Sequence, residues 1–278
     1  MKFKKSFFAM LGLAVSLVFT GCGGGDTPAP ADGGNAKLNA TIKVGATPVP
    51  HSEILEDIKS DLQEKGVTLE IVEFNDYVQP NIALNDKELD ANFFQHEPYL
   101  NDFVKEHTEM KIKNAGGVHV EPMGIYSTKI KNLEELPFGA NVSIPNDATN
   151  GGRALLLLDK AKLITLREGV KEMATVQDII DNPNDLHIQE IEAAQLPRTL
   201  DDVDISVINT NFAMNANLNP VNDALFMEDK TSPYVNIVVV RDGDENRAEI
   251  KTLMQTLQSE KVKNFINEKY KGAIVPAF

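Results

Sequence analysis

From residue 41 onward the apolar positions alternate between two spacings. TIKVGA (41–46) and TLEIVEF (68–74) are short strand-like runs, and between them HSEILEDIKSDLQEKG (51–66) repeats Ile54, Leu55, Ile58 and Leu62 at helical spacing, with Gly66 as a stop. This strand, helix, strand order predicts parallel strands covered by helices. KELDANFFQ, MKIKNAGGVHV and MGIYS extend the unit to about residue 127. A second unit follows: NVSIPND (141–147) reads as a strand ending in turn residues, NGGRALLLLDKAKLI (150–164) as a helix, and LHIQEIE and DISVINT as strands. After SPYVNIVVV (232–240), the tail places Ile250, Leu253, Met254 and Leu257 on one helical face, continued by Val262, Phe265 and Ile266 beyond a kink. Two α/β lobes are the natural reading, and ligands in such folds sit beyond the carboxyl ends of strands or between lobes.

The N-terminus departs from this alternation. Lys2, Lys4 and Lys5 precede the apolar run FFAMLGLAVSLVF and then TGC, the layout of a secretory signal over residues 1–21. The run is too short for a comfortable membrane span. Cys22 is the only cysteine, so neither an intrachain disulfide nor a thiolate metal site is available. Its place after Thr20 and Gly21 resembles the lipobox of bacterial lipoproteins, with Phe19 where Leu is usual; the resemblance implies that Cys22 is acylated and becomes the mature N-terminus. GGGDTPAPADGGNAKL lacks the apolar side chains to support a core, so residues 22–40 read as a flexible tether. Sixteen such residues reach roughly 20–24 Å. The folded body is thus expected in the cell envelope, held at a membrane through its lipid.

Charge narrows the classes of partner. The net charge is -14 over 278 residues, and loss of residues 1–21 leaves 24 basic side chains against 41 acidic, a net -17. No basic block follows the first five residues, which argues against nucleic acid.

Three stretches carry candidate chemistry. DANFFQHEPYL (90–100) gathers Phe93, Phe94, His96 and Tyr99 in a chain that is 6% aromatic. If extended, Phe93 and Phe94 point to opposite faces, one to the core and the other to a cleft. EFNDYVQPN puts Asn75, Asp76 and Tyr77 at the end of a strand. IPNDATNGGRALLLL puts Asn150, Gly151, Gly152 and Arg153 where a loop turns into a helix, a place whose free N–H groups favour an anion and where Arg153 offers a fork for a carboxylate. A capped helix with a surface arginine explains the same residues equally well. No Gly-Lys-Ser/Thr follows, so a nucleotide P-loop is not matched. The five His include no His-x-x-x-His pair, and His119-Val120-Glu121, which matches the start of the zinc deaminase signature, lacks the required cysteine pair. Neither a Gly-x-Ser-x-Gly elbow nor a paired nucleophile and base supports an enzyme. No cofactor, metal or catalytic residue is expected.

FNDYVQPN, LDANFFQHEPYL, IPNDATNGGRALLLL, LPRTLDD, VINTNFA and EDKTSPYVN, in that order over residues 74–236, together resemble the NlpA lipoproteins, which bind methionine for ABC importers. The resemblance spans essentially the whole mature body. It implies a two-lobed periplasmic-binding-protein fold, each lobe a mixed sheet flanked by helices, closing on an amino acid without catalysis. Lobe 1 is expected over 41–124 and 235–278 and lobe 2 over 125–234, with chain crossings near 122–126 and 233–237. By motif position, Tyr77, Phe94, His96 and Tyr99 line the pocket, Arg153 clamps the carboxylate with Asn150 beside it, and Asn209 and Asn236 hold the polar end. Phe93 and the two glycines of NGGR stand where family members vary, with consequences expected for pocket shape. The implied partners are L-methionine or a close relative and the importer's transmembrane subunits, with the body a monomer. D-methionine, a Met-containing dipeptide, and a surface interaction protein reusing the fold are the alternatives.

Overall fold

A computed structural model describes residues 37–230 and 232–278 of the chain. The signal segment, Cys22 and most of the tether lie outside the described residues.

The chain begins with β1 (Ala40–Ala46), α1 (Glu53–Asp57), α2 (Lys59–Glu64), β2 (Val67–Glu73), α3 (Gln79–Asn85), β3 (Ala91–His96), α4 (Glu97–Glu106) and β4 (Ile112–Val120). It continues through β5 (Gly124–Tyr126), β6 (Asn141–Pro145), α5 (Ala148–Lys160), β7 (Thr165–Leu166), β8 (Ile179–Asp181), β9 (His187–Ile191), β10 (Ile205–Ile208), α6 (Thr210–Asn215), α7 (Pro220–Asp223) and β11 (Phe226–Met227). It ends with β12 (Val235–Arg241), α8 (Ala248–Leu257), α9 (Glu260–Tyr270) and β13 (Val275–Pro276). Six strands form one sheet in the order β13-β4-β12-β3-β1-β2, five form a second in the order β11-β5-β10-β6-β9, and β7 with β8 makes a ribbon. The two large sheets with their helices are the two lobes. The chain leaves the first sheet between β4 and β5 and returns between β11 and β12.

Both sheets are mixed. β1 runs parallel to β2 and β3, as the strand, helix, strand pattern predicts, but β12 inserts antiparallel between β3 and β4. The alternation along β12 explains its central place: Val238 and Val240 enter the core under α1, α2, α8 and α9, while Ile237 and Val239 enter a second core with Leu84, Leu89 and Leu100 on the opposite face. A strand buried on both faces reads as one continuous apolar run.

Two helical expectations meet different outcomes. The stretch 51–66 is not one helix but α1 and α2, broken at Ile58, where ψ is -3°. The break leaves Ile54, Leu55, Ile58 and Leu62 all fully buried. The C-terminal stretch is broken as expected, with the Ser259 hydroxyl accepting the Val262 N–H to start α9. At the other end Leu38, inside the stretch read as tether, donates its N–H to Lys65 O at 3.2 Å and packs on the first core.

Candidate functional site

Three polar residues stand side by side where β3, β12 and β4 meet. Asn236 is in register with His96 on β3 and with His119 on β4, and all three are buried. This row lies at the carboxyl ends of β3 and β4, where the switch to the second sheet opens a crevice.

The aromatic wall comes from the first lobe. Period-two alternation sends Phe93 into the core, fully buried, and Phe94 to the crevice. Tyr77 lies 5.8 Å from Phe94 and 5.8 Å from Tyr99 between ring centroids, and the Tyr99 hydroxyl donates to Tyr77 O at 2.9 Å. Tyr77 also reaches the second lobe. Its hydroxyl donates to Asn211 Oδ1 at 2.6 Å and its ring lies 4.8 Å from Phe212. Burial pushes the titration of Tyr77 and Tyr99 above the ordinary phenol range, so both hydroxyls stay neutral donors.

His96 joins the two lobes with a defined tautomer. It caps α4 by accepting the Tyr99 N–H on Nδ1 at 3.2 Å, so the ring proton is on Nε2, which donates to Asn150 Oδ1 at 3.1 Å. Burial, reinforced by the charge of Arg153, lowers its pKa to about 3 and keeps the imidazole neutral. Asn150 Oδ1 also accepts from Asn209 Nδ2 at 2.9 Å, while Asn150 Nδ2 donates to both oxygens of Asp147. Asn209 Oδ1 is buried and has no hydrogen-bond partner among the described residues. Such an acceptor suits an ammonium.

The start of α5 differs from the expectation. The helix begins at Ala148, capped by Asp147, whose carboxylate accepts the Asn150 N–H at 2.9 Å. The anion position at this N-terminus is therefore filled by the protein's own carboxylate, and Asn150 acts through its side chain. Gly151 and Gly152 serve packing. A Cβ at Gly152 would stand 2.3 Å from Glu172 O, and one at Gly151 would stand 2.9 Å from Pro145 O.

Arg153, one turn along α5, is 3% exposed and already engaged. Its Nε donates to Glu228 Oε1 at 2.8 Å, and Nη2 donates to Glu228 Oε2 and to Glu121 O. The guanidinium stacks 4.2 Å above the ring of Tyr234. Burial opposes its charge, but Glu228 overrides that cost and raises the pKa. Nη1 is left without a hydrogen bond among the described residues.

All eight residues expected from the motifs, Tyr77, Phe94, His96, Tyr99, Asn150, Arg153, Asn209 and Asn236, line one small cavity. Gln95, Glu121, Thr210 and Asn211 complete its wall and were not foreseen. Glu228, within EDKTSPYVN, has a role that its motif alone does not reveal, because its partner lies 75 positions away. His119 and Glu121, two residues apart in sequence, do come together, with Nε2 and Oε1 at 2.7 Å. Burial raises the pKa of Glu121, with His51, Arg153 and the Asn211 N–H working against that shift.

A closed two-lobed α/β body with an enclosed polar and aromatic cavity between its sheets is the architecture of a solute-binding protein. The NlpA lipoprotein family's profile matches residues 42–278, and the chain belongs to that family. It is 42% identical to the methionine-binding lipoprotein MetQ of Bacillus subtilis over 277 residues, 98% of each chain. It is also 42% identical to the D-methionine-binding lipoprotein MetQ of Escherichia coli K12 over 279 residues, 99% of each chain. Among solved structures, a nutrient-binding protein from Burkholderia cenocepacia bound to methionine superposes with a TM-score of 0.82 at 47% identity, covering 85% of this chain and 100% of that one. No helix among the described residues is long and apolar enough to cross a membrane.

Proposed function

We propose that this chain is a solute-binding lipoprotein that captures L-methionine in the cavity between its sheets and delivers it to an ABC importer. The observation that carries the reading is the convergence of a neutral aromatic wall and a hydrogen-bonded polar end, from both lobes, on one small cavity. A thioether suits the wall formed by Tyr77, Phe94 and Tyr99, since sulfur and ring attract by about 0.3–1.5 kcal/mol. A zwitterionic head group suits Asn209, Asn236 and Arg153 Nη1. The relatives bearing methionine-binding names and the methionine-bound neighbour support the same ligand.

In this reading lobe 1 comprises residues 41–124 and 235–278 and lobe 2 residues 125–234, consistent with sheet membership. The crossings near 122–126 and 233–237 are the hinge. Ligand bridging the lobes favours the closed form by its difference in affinity for the two states. Acylated Cys22 holds the monomeric body at a membrane on its periplasmic or extracytoplasmic face, where the closed form meets the importer. No reaction is assigned to the cavity: its polar groups hold one another or the solute.

Mass spectrometry of small molecules released from the purified full chain, followed by calorimetric titration of L-methionine, D-methionine and Gly-Met, tests this. L-methionine is expected to be released and to bind most tightly. Preference for either competitor reassigns the solute, and no binding of any of the three removes the reading.

A further inference from the structure

Beneath the polar end of the cavity lies a second polar cluster. His51, following β1, brings Nε2 to 3.2 Å from Glu121 Oε1, and His119, at the end of β4, brings its Nε2 to 2.7 Å from the same oxygen. Both rings are fully buried, and Glu121 is 5% exposed. The Asn211 backbone N–H donates to the same carboxylate. Because Glu121 also lines the cavity, it is the boundary between this cluster and the solute.

Unpartnered atoms decide where the protons sit. His119 Nδ1 is buried with no hydrogen-bond partner among the described residues. A proton there would be an orphaned donor in a dry interior, whereas a proton on Nε2 is donated to Glu121 and leaves only a lone pair unmatched. The His51 Nδ1 accepts from the Thr47 hydroxyl at 2.7 Å, so its proton is also on Nε2, shared between Glu121 and Asn236 Oδ1 at 3.0 Å. Glu121 is then surrounded by donors, the environment of a carboxylate anion. Two histidines and a carboxylate also suit a metal, and their ligand atoms lie within 4.8 Å of one another. The 2.7 Å separation is a hydrogen-bond length, however. In a tetrahedral site with bonds of about 2.0–2.2 Å the ligand atoms stand roughly 3.3–3.6 Å apart.

The charge balance at the cavity then has one unmatched member. Arg153, the one cation among the cavity-lining residues described, is already paired two-pronged with Glu228. Glu121 has only neutral donors.

We propose that Glu121 is the counter-charge for the solute's ammonium, and that His51 and His119 are positioning residues that hold it as an anion and aim it at the cavity. This rests on the solute reading above and sharpens the ligand class: a small thioether compound with a free α-ammonium, whose carboxylate contributes less than its amine. His51 has a second duty. By occupying Asn236 Oδ1, it leaves the amide N–H groups of Asn236 for the solute's carboxylate.

Calorimetry on the detergent-solubilised full chain tests the assignment with three probes: L-methionine, its carboxamide, and 4-(methylsulfanyl)butanoate, the same skeleton without the amine. The carboxamide is expected within about tenfold of L-methionine and the deaminated acid at least about a hundredfold weaker, in line with loss of a buried charge pair. Glu121→Gln keeps the shape and removes the charge. It should weaken L-methionine by more than about thirtyfold while leaving the deaminated acid unchanged or tighter, so that the gap closes. His119→Gln, which retains a donor, should preserve the wild-type preference, and His119→Leu should lose it. Nitrogen-15 NMR of the imidazoles should show both rings neutral with the proton on Nε2. The proposal is overturned if the wild type binds L-methionine but Glu121→Gln weakens methionine and the deaminated acid by the same factor, or if His119 carries its proton on Nδ1. A wild type that binds no methionine compound overturns the solute reading itself, a separate result.

Discussion

Arg153 and Glu228 form a two-pronged ion pair whose Oε2 also accepts the Met123 N–H at 2.9 Å, so the cavity's cation is tied to both crossings between the sheets. Met123 stands just before β5, and Glu228 just after β11. Removing one member of a buried pair costs about 3–5 kcal/mol, because the other charge is left uncompensated. Glu228→Gln is therefore expected to lower the melting temperature of the solute-free protein strongly. A solute carboxylate can then replace part of the lost counter-charge, so the rise in melting temperature on adding L-methionine should be larger in the variant than in the wild type. Differential scanning fluorimetry measures both shifts. Equal shifts would mean that the solute's carboxylate does not approach Arg153.

Asn236 is held from behind by His51 at 3.0 Å and is in register with His96, which itself bonds Asn150 of the second lobe. It is 5% exposed and lines the cavity near the return crossing, a position from which one side chain meets both solute and hinge. Asn236→Ala is expected to weaken L-methionine at least about tenfold, the value of one well-made hydrogen bond to a charged group. Unchanged calorimetric affinity would remove Asn236 from the binding site.

The aromatic wall makes a prediction about sulfur. Phe94 and Tyr99 face each other at 6.1 Å between centroids, nearly perpendicular, with Tyr77 beside both. Replacing the thioether by a methylene retains size and apolarity but loses the sulfur to ring contact, which is worth about 0.3–1.5 kcal/mol. L-methionine should therefore bind about two- to tenfold more tightly than norleucine. Phe94→Leu should shrink that ratio toward unity while still binding both. A ratio that survives the substitution would place the sulfur elsewhere.

What was legible in the residues divides by range. Alternation at period two is enough to separate Phe93 from Phe94, because strand geometry is local. The four apolar positions between 54 and 62 announce a buried helical face, although not the break at Ile58. Asp147 as the cap of α5 was also readable, since Asp followed by Ala-Thr-Asn opens a helix in the usual way; the glycines that follow drew the boundary too late. Glu121, Glu228 and His51 are different. Each acquires its role from a partner 70 or more positions away: Glu121 from His51, Glu228 from Arg153, and His51 from Asn236 as well. The meeting of His51 with Asn236 depends on β12 entering antiparallel between β3 and β4, and all three bring together distant segments, for which the chain carries no local signature.

The three buried histidines set how the fold responds to acid. Burial lowers His51 to about 4, and His96 and His119 each to about 3, from an ordinary value of 6.5. Each folded value is depressed, so the neutral rings contribute stability that is fully present above pH 6.5 and is lost as pH falls toward 3–4, where the unfolded chain has taken up protons that the folded chain refuses. Glu121 and Asp147 act in the opposite sense. Burial raises both, so as pH falls the folded chain takes up protons on them before the unfolded chain does, which favours the fold at lower pH. Between pH 7 and pH 5 the three histidines work toward proton uptake on unfolding, and the two carboxyl groups work against it. The melting temperature is therefore expected to fall from pH 7 to pH 5, less steeply than the histidines alone would require. Calorimetric melts in buffers of different ionisation enthalpy measure the uptake directly. A protein as stable at pH 5 as at pH 7, with no proton uptake, would mean that the carboxyl groups offset the rings fully or that the rings accept protons inside the fold; melts of Glu121→Gln, in which one carboxyl group is gone, separate the two.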